Sequence, residues 1–346
     1  MSDARELVYL SSAQDAEWNA YVDAHPDATL YHRAEWRAAI TKSFGHDCYY
    51  LAAKDRGRIV GVLPMVHTRS VLFGSILCSM PFLNFGGVLA DDPSAEAGLL
   101  DEAGRLLRRV GADYLELRHL KRSSANLATK THKVSMVVEL PSDPEVLFAR
   151  LDRRRRHEIR QATESRYEIR FGGIELLDDF YDLLSLGWRN LGTPIYRKGF
   201  FANICQSLGP QVEITVVYEN GRPVSTAFDG AYRDTLEGMW TYTRRDSLKA
   251  GANTWLYWNL LKRGCERGYR SFHLGRSTVD SGGQANKRKW TAEPRQLYWE
   301  YMMREGTAVP ELDVQNPKYR LAISAWRRLP VPVTRWIGPF LARSIP

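Results

Sequence analysis

The 346 residues are 44% hydrophobic and 25% charged, an ordinary globular balance that excludes global disorder and gives enough chain for two domains. Lys and Arg (48) outnumber Asp and Glu (40), and the formal charge of +8 favours anionic partners such as phosphates, RNA or acidic lipid. Cys48, Cys78, Cys205 and Cys265 form no CxxC pair and no His-coupled spacing, which argues against a disulfide scaffold or a metal site and for reduced thiols. No window approaches the roughly 18 apolar residues of a membrane span. The start, Met-Ser-Asp-Ala-Arg-Glu, lacks the apolar stretch of a secretory leader, so the chain reads as cytoplasmic.

Periodicity and capping signals predict helices over Asp15–His25 and Arg33–Ser43. A hairpin follows from Cys48 to Pro64 around Gly57, then a helix from Leu99 to Val110 and, past Gly111, a strand Tyr114–Arg118. A strand from Val134 to Leu140 ends in Pro-Ser-Asp-Pro, placing a domain boundary near residues 141–144. Pro144 to Ser165 reads as one helix carrying Arg153-Arg-Arg-Arg-His-Glu-Ile-Arg160. A strand (Tyr167–Phe171) and two helices (Glu175–Asn190, Lys198–Leu208) lead to a second hairpin, Glu213–Phe228, whose Asn220-Gly221 signals a type I′ turn. Next come a strand Thr235–Tyr242, a helix Asn253–Arg267, Gly268 and a strand Ser271–Gly275. The polar segment Gly275–Trp290, a strand Gln296–Met303 and a proline-rich tail with one helix, Lys318–Arg328, complete the chain.

Hairpin, helix, Gly and strand recur at an offset of about 160 residues, which argues for duplication of one α/β unit. The order helix, hairpin, further strand, helix, strand is that of the acetyltransferase-like N-acyltransferase fold. The expected class is therefore α/β with mixed sheets, as two tandem acetyltransferase-like (GNAT) domains. In that fold a loop before the helix that follows the central strand holds an acyl-CoA pyrophosphate on backbone N–H groups. Here Arg244-Arg-Asp-Ser-Leu-Lys-Ala-Gly-Ala-Asn253 stands in place of Arg-x-x-Gly-x-Gly/Ala, a degenerate CoA site.

Several stretches keep an order and spacing that resemble the FemAB family, aminoacyl-tRNA-dependent transferases that extend peptidoglycan side bridges, and its BioF2-like acetyltransferase relatives. They are Leu30-Tyr-His-Arg-Ala-Glu-Trp36 with Phe44-Gly-His46, Ser79-Met-Pro-Phe-Leu-Asn-Phe-Gly-Gly87, the basic helix around Arg156–Arg160, and Phe272–Ser277 followed by Asn286-Lys287-Arg-Lys-Trp290. The FemAB-like proteins associated with PEP-CTERM/exosortase systems are most similar, over nearly the whole chain. The resemblance implies two acetyltransferase-like domains and a last segment, 306–346, returning to the first. Because the first copy runs from its strand into His119-Leu-Lys-Arg122 without the Arg-Ser and Lys-Trp elaboration of the second, 144–305 is expected to be the donor side and 1–143 the acceptor side. The resemblance makes Lys287 the catalytic residue, at a donor phosphate or at the oxyanion that develops as an ester is aminolysed. It implies no tightly bound cofactor, an anionic donor (aminoacyl-tRNA or acyl-CoA) as co-substrate, and an amine of a cell-envelope peptide or sugar precursor as acceptor, with no DNA.

Arg276 and Ser277 follow a crevice-forming strand, where a guanidinium can grip phosphate or carboxylate, and Lys289 and Trp290 close the same segment. Asn84 and Gly86 match a loop that borders the acceptor cleft in relatives, with Trp36 in the motif before it. Arg156 and Arg160, four apart on one helical face, could meet tRNA phosphates. Each has a plainer reading: a solvated charge run, an ordinary Gly turn, a core aromatic. His273 reads as a core histidine, and Asp280 and Glu237 as candidate bases. The tail from Arg327 to Arg343 mixes arginines with Trp336 and Phe340; it either docks on the first domain, which the prolines favour, or rests as a peripheral contact on the inner face of an anionic membrane. The function expected is N-acyl transfer of the FemAB type in peptidoglycan- or exopolysaccharide-related synthesis. The alternatives are an acyl-CoA-dependent N-acetyltransferase and a non-catalytic RNA- or membrane-binding scaffold.

Overall fold

The computed structural model describes residues 5–70, 74–164, 167–249, 251–307, 309 and 317–345. The chain forms two units: residues 1–133 with 296–312 and 343–346, and residues 134–295 with 313–342. The first contains β1 (Glu6–Tyr9), α1 (Asp15–Ala24), α2 (Glu35–Phe44), β2 (Asp47–Asp55), β3 (Arg58–Ser70), β4 (Gly74–Cys78), β5 (Leu89–Ala90), α3 (Pro93–Arg109), β6 (Tyr114–His119) and β7 (Ala128–Lys130). The second contains β8 (Lys133–Glu139), α4 (Pro144–Arg150), α5 (Arg153–Thr163), β9 (Tyr167–Gly172), α6 (Leu177–Leu191), α7 (Lys198–Leu208), β10 (Val212–Glu219), β11 (Arg222–Tyr232), β12 (Thr235–Thr243), α8 (Ala252–Glu266), β13 (Ser271–Thr278), α9 (Gly282–Arg288) and β14 (Glu293–Gln296). The chain then gives β15 (Tyr298–Met303) to the first unit, and α10 (Pro317–Arg328) and α11 (Val331–Ala342) to the second.

Both sheets are mixed. The first runs β1-β2-β3-β4-β6-β15-β7 with β5 on β3, and the second β14-β8-β13-β12-β11-β10-β9. Each repeats hairpin, strand, helix, parallel strand: β2/β3, β4, α3, β6 in one and β10/β11, β12, α8, β13 in the other. Both hairpin turns place their two central residues at positive φ (Arg56 and Gly57, Asn220 and Gly221), as the right-handed strand twist demands of a two-residue loop. The duplicated architecture read from the sequence is therefore present.

Packing follows the apolar stripes. Leu99, Ala103, Leu106 and Leu107 of α3 cover Leu51, Leu63, Leu77, Leu115 and Leu117 of the first sheet. In the second unit Leu256, Leu260 and Leu261 of α8 pack with Val138, Val217, Phe272 and Leu274. Phe180, Phe201, Phe228 and Trp240 meet edge to face in the same unit. Among the described residues no helix is long and apolar enough to cross a membrane.

Four expectations need revision. The units divide at Lys133/Val134 rather than near 141–144, because β8 joins the second sheet. Tyr298–Met303, expected in the second domain, lies antiparallel to β6 from Tyr298↔His119 to Met303↔Tyr114. Most of the tail, residues 313–342, groups with the second unit, α10 and α11 both packing on α6; its two ends, 306–312 and 343–346, belong with the first, where His46 Nε2–H donates to the Arg343 carbonyl at 2.6 Å. Alternation identifies a strand but not the sheet edge it will join. Finally, the helix predicted from Pro144 to Ser165 is two helices, because the Asp152 carboxylate accepts from Arg155 N–H (2.7 Å) and starts a new one; Ser165 lies outside the described residues.

Candidate acyl-transfer site

The central feature of the second unit is a fork. The parallel ladder of β12 and β13 runs Thr235↔Ser271, Leu236↔Phe272, Glu237↔His273 and stops there, although the strands continue to Thr243 and Thr278. On its other side β12 is bulged: Phe228 faces Trp240 but Asp229 faces Gly238, leaving Met239 extra. A bulge bends and twists its strand. Glycines permit the close passage at the fork. Gly275 has φ +78, and a Cβ there would lie 2.9 Å from the Gly238 carbonyl oxygen.

Parting strands leave carbonyls without partners, a cost that must be met when they are buried. Lys287 meets it. From α9 its ammonium donates to Gly275 O (2.9 Å) and Arg276 O (3.0 Å), the carbonyls of the residues where β13 turns away. Ser281 starts α9 by accepting from Gln284 N–H, and the Gln284 side chain accepts from Asp280 N–H, so a rigid turn aims the lysine. Burial, and then the charge of Arg276, pulls the Lys287 ammonium down to about 8.

Arg276 is half-buried and Ser277 buried on the same strand, which Lys287 reaches at the Gly275 and Arg276 carbonyls. Lys289 is exposed at the end of α9. Trp290 is fully buried: it stacks on Tyr257 at 5.7 Å and carries the Arg155 guanidinium over its ring at 4.5 Å, so it supports the segment from beneath. Arg156 is half-buried and Arg160 exposed over Phe148. The remaining expected residues belong to the first unit, in its core. Trp36 is buried and donates to Leu30 O (2.9 Å), Asn84 donates to the Tyr31 hydroxyl (2.9 Å), and Gly86 N–H donates to Arg118 O (2.9 Å).

Arg155 was passed over in the arginine run. It is buried, paired with Glu158 (2.9 Å) and donating to Thr254 Oγ1 (3.2 Å) in the first turn of α8. Its signal was positional: 155, 159 and 162 fall on one helical face with Ile159 and Ala162, the face that is buried. Asp229 is a second residue that the sequence does not single out, the one acid of β11. It sits beside Gly238 at the bulge, and burial, then the charge of Glu213, raises its carboxyl well above the usual range. Glu237, on the last paired rung, lies 3.8 Å from His273 Nδ1, which also meets Ser135 Oγ at 3.1 Å. Burial, then the Arg295 charge, lowers His273 to about 4, so it is neutral near pH 7. Asp280 is exposed with φ +58. In the loop before α8, Arg244 and Arg222 both bind Asp246, which offsets part of that basic run.

Residues 149–287, which hold this fork, match the family of acetyltransferase (GNAT) domains. No curated protein matches the chain. Among solved structures the chain is similar to FemX (TM-score 0.64, 13% identity, 85% of this chain and 97% of that one). It is similar too to a tandem GNAT protein from the clavulanic acid biosynthesis pathway (0.56, 12%, 89% and 100%) and to L-PGS from Bacillus licheniformis (0.51, 14%, 88% and 97%). At these identities the likeness is one of fold: two acetyltransferase-like domains in tandem.

Proposed function

From the GNAT-type acetyltransferase domain at 149–287, we infer that this acyltransferase moves an aminoacyl or acyl group onto an amine of a cell-envelope peptide or sugar precursor, in the manner of FemAB proteins, at the inner face of the membrane. The observation that carries this reading is the glycine-lined fork held by Lys287. An ammonium has three N–H groups, and two are committed to Gly275 O and Arg276 O. The third is the donor available to a carbonyl lying between the strands. The acceptor amine adds to that carbonyl carbon and negative charge develops on its oxygen, where a fixed N–H donor lowers the barrier. Collapse of the tetrahedral centre breaks the bond to the donor's oxygen or sulfur, and the proton lost by the amine ends on the leaving group. Glu237 is the carboxylate placed at the last rung to pass it on. Arg276 and Ser277 would hold an anionic part of the donor, and no tightly bound cofactor is needed.

Aminoacyl-tRNA is the preferred donor, because Arg244 to Asn253 lacks the Gly-rich phosphate loop and Asp246 offsets two of the nearby arginines. The GNAT match itself favours acyl-CoA as the second reading, since domains of this type generally use it. Purified protein should be offered radiolabelled aminoacyl-tRNA and acetyl-CoA with amine acceptors of peptide and amino-sugar type. Transfer lost about a hundredfold or more in Lys287→Met supports the site. Transfer from acetyl-CoA alone removes the tRNA donor; equal rates in the variant remove Lys287 from the chemistry.

A further inference from the structure

The helix α11 is turned inside out relative to an ordinary surface helix. Thr334, Gly338 and Ala342 are buried, whereas Pro332, Trp336 and Phe340, at i, i+4 and i+8, form its exposed stripe. Trp336 is 74% and Phe340 56% exposed. A stripe of this kind normally faces a core. Beside it lies a cleft of about 260 Å³ lined by Tyr181, Arg197, Lys198, Arg335, Trp336 and Phe340. The Arg197 guanidinium stands over the Phe340 ring at 5.2 Å, and Arg335 over Tyr181 at 5.4 Å. Arg335 is paired with Asp182 (2.7 Å) and Lys198 with Asp178 (2.5 Å), both carboxylates facing solvent. From Pro317 to Pro346 the sequence has six Lys and Arg and no Asp or Glu.

We propose that α11 docks on an anionic phospholipid surface, with Trp336 and Phe340 entering the headgroup region and Arg197, Lys198 and Arg335 receiving lipid phosphates. Exposed aromatics next to cations are what such a surface selects: the rings gain by leaving water and the cations by nearing the negative surface. A nucleic acid would use the cations but gain little from an apolar stripe that includes Pro332. The proposal does not rest on the acyl-transfer reading, and a peripheral protein needs no spanning helix for it.

The test is co-sedimentation of the full chain with vesicles of phosphatidylcholine alone or mixed with phosphatidylglycerol. Binding is expected only to the mixed vesicles and should weaken with added salt. The double change Trp336→Ala and Phe340→Ala should weaken it about tenfold or more, and Arg197→Gln about fivefold, with circular-dichroism melting unchanged because these side chains are exposed. The proposal fails if anionic vesicles do not bring the protein down, or if the double variant binds as well as the parent. It also fails if sedimentation velocity shows a dimer that the double change dissolves, since the stripe would then belong to a second copy.

Discussion

Lys287 and Gly275 answer two halves of one problem. The glycine lets β13 turn away where a Cβ would stand only 2.9 Å from the Gly238 carbonyl oxygen, and the lysine donates to the carbonyls at that turn. The cost appears in the lowered affinity of the lysine for its proton. If the ammonium is the active form, kcat/KM should be level below about pH 8 and fall about tenfold per unit above it; Lys287→Met should lose this limb along with most activity. A profile still rising at pH 9 would show that the proton is not used. Because the folded pKa is below that of free lysine, the fold carries a penalty below pH 8 that fades as pH rises toward about 10.4. Asp229 has the opposite sign. Its raised pKa means that the folded chain holds a proton the unfolded chain gives up, so this stabilising contribution is present below about pH 4 and is lost as pH rises through the folded pKa. Asp229→Asn should therefore be more stable than the parent at pH 7 and show a flatter dependence of urea midpoint on pH. A loss of stability at pH 7 would contradict it. The sequence showed Lys287 within a charge run, but not that its ammonium would turn back onto the strand it follows, because that depends on where β13 bends.

The two copies of the duplicated unit treat the space after their parallel strands differently. In the first, β4 ends at Cys78, and the segment from Ser79 to Gly87 fills the position: Ser79 N–H donates to Glu116 O, Arg118 N–H to Ser79 Oγ, and Gly86 N–H to Arg118 O. His119 locks this plug. Val88 N–H donates to its Nε2 (3.0 Å), so Nδ1–H points to Glu300 (2.7 Å), whose oxygens also accept from Ser123. In the second, β12 and β13 part after Glu237↔His273, and Lys287 covers the Gly275 and Arg276 carbonyls on the β13 side. The two copies thus end their parallel ladders differently, and the acyl-transfer site proposed above belongs to the second. The hairpins were legible because Asn-Gly dictates its own turn; the plug was not, since Met80 and Phe82 take positive φ that no local signal predicts. The arginine helix offers a direct test of the element that carries Trp290. Arg155→Met should lower stability by about 2 kcal/mol in urea unfolding, through the lost Glu158 pair, Thr254 bond and ring contact. Arg156→Met, one residue on, should change it by no more than about 0.5 kcal/mol. Equal losses would mean that the burial of Arg155 has been misread.

At the scale of the molecule, each sheet depends on a strand that linear domain boundaries would assign elsewhere: β8 follows the first unit in sequence and β15 follows the second. The repeat that organises the chain was visible because it recurs in the order of local elements. The exchange was not, since nothing local in Val134–Leu140 or Tyr298–Met303 states its partner. A fragment of residues 1–143 should consequently fail to fold, lacking β15 between β6 and β7 and the Glu300 partner of His119. A fragment joining 1–133 to 296–312 through a short Gly/Ser linker should give a cooperative melt. A well-dispersed amide NMR spectrum from the first fragment would refute this. The same exchange bears on how the protein is made. During synthesis the first sheet is left with β6 as an open edge through some 180 further residues, until Tyr298–Met303 leaves the ribosome. The second unit's central strands are by then available to pair with one another. The copy that begins first must finish last, and the waiting edge, rather than either core, is where a nascent chain would first need a chaperone.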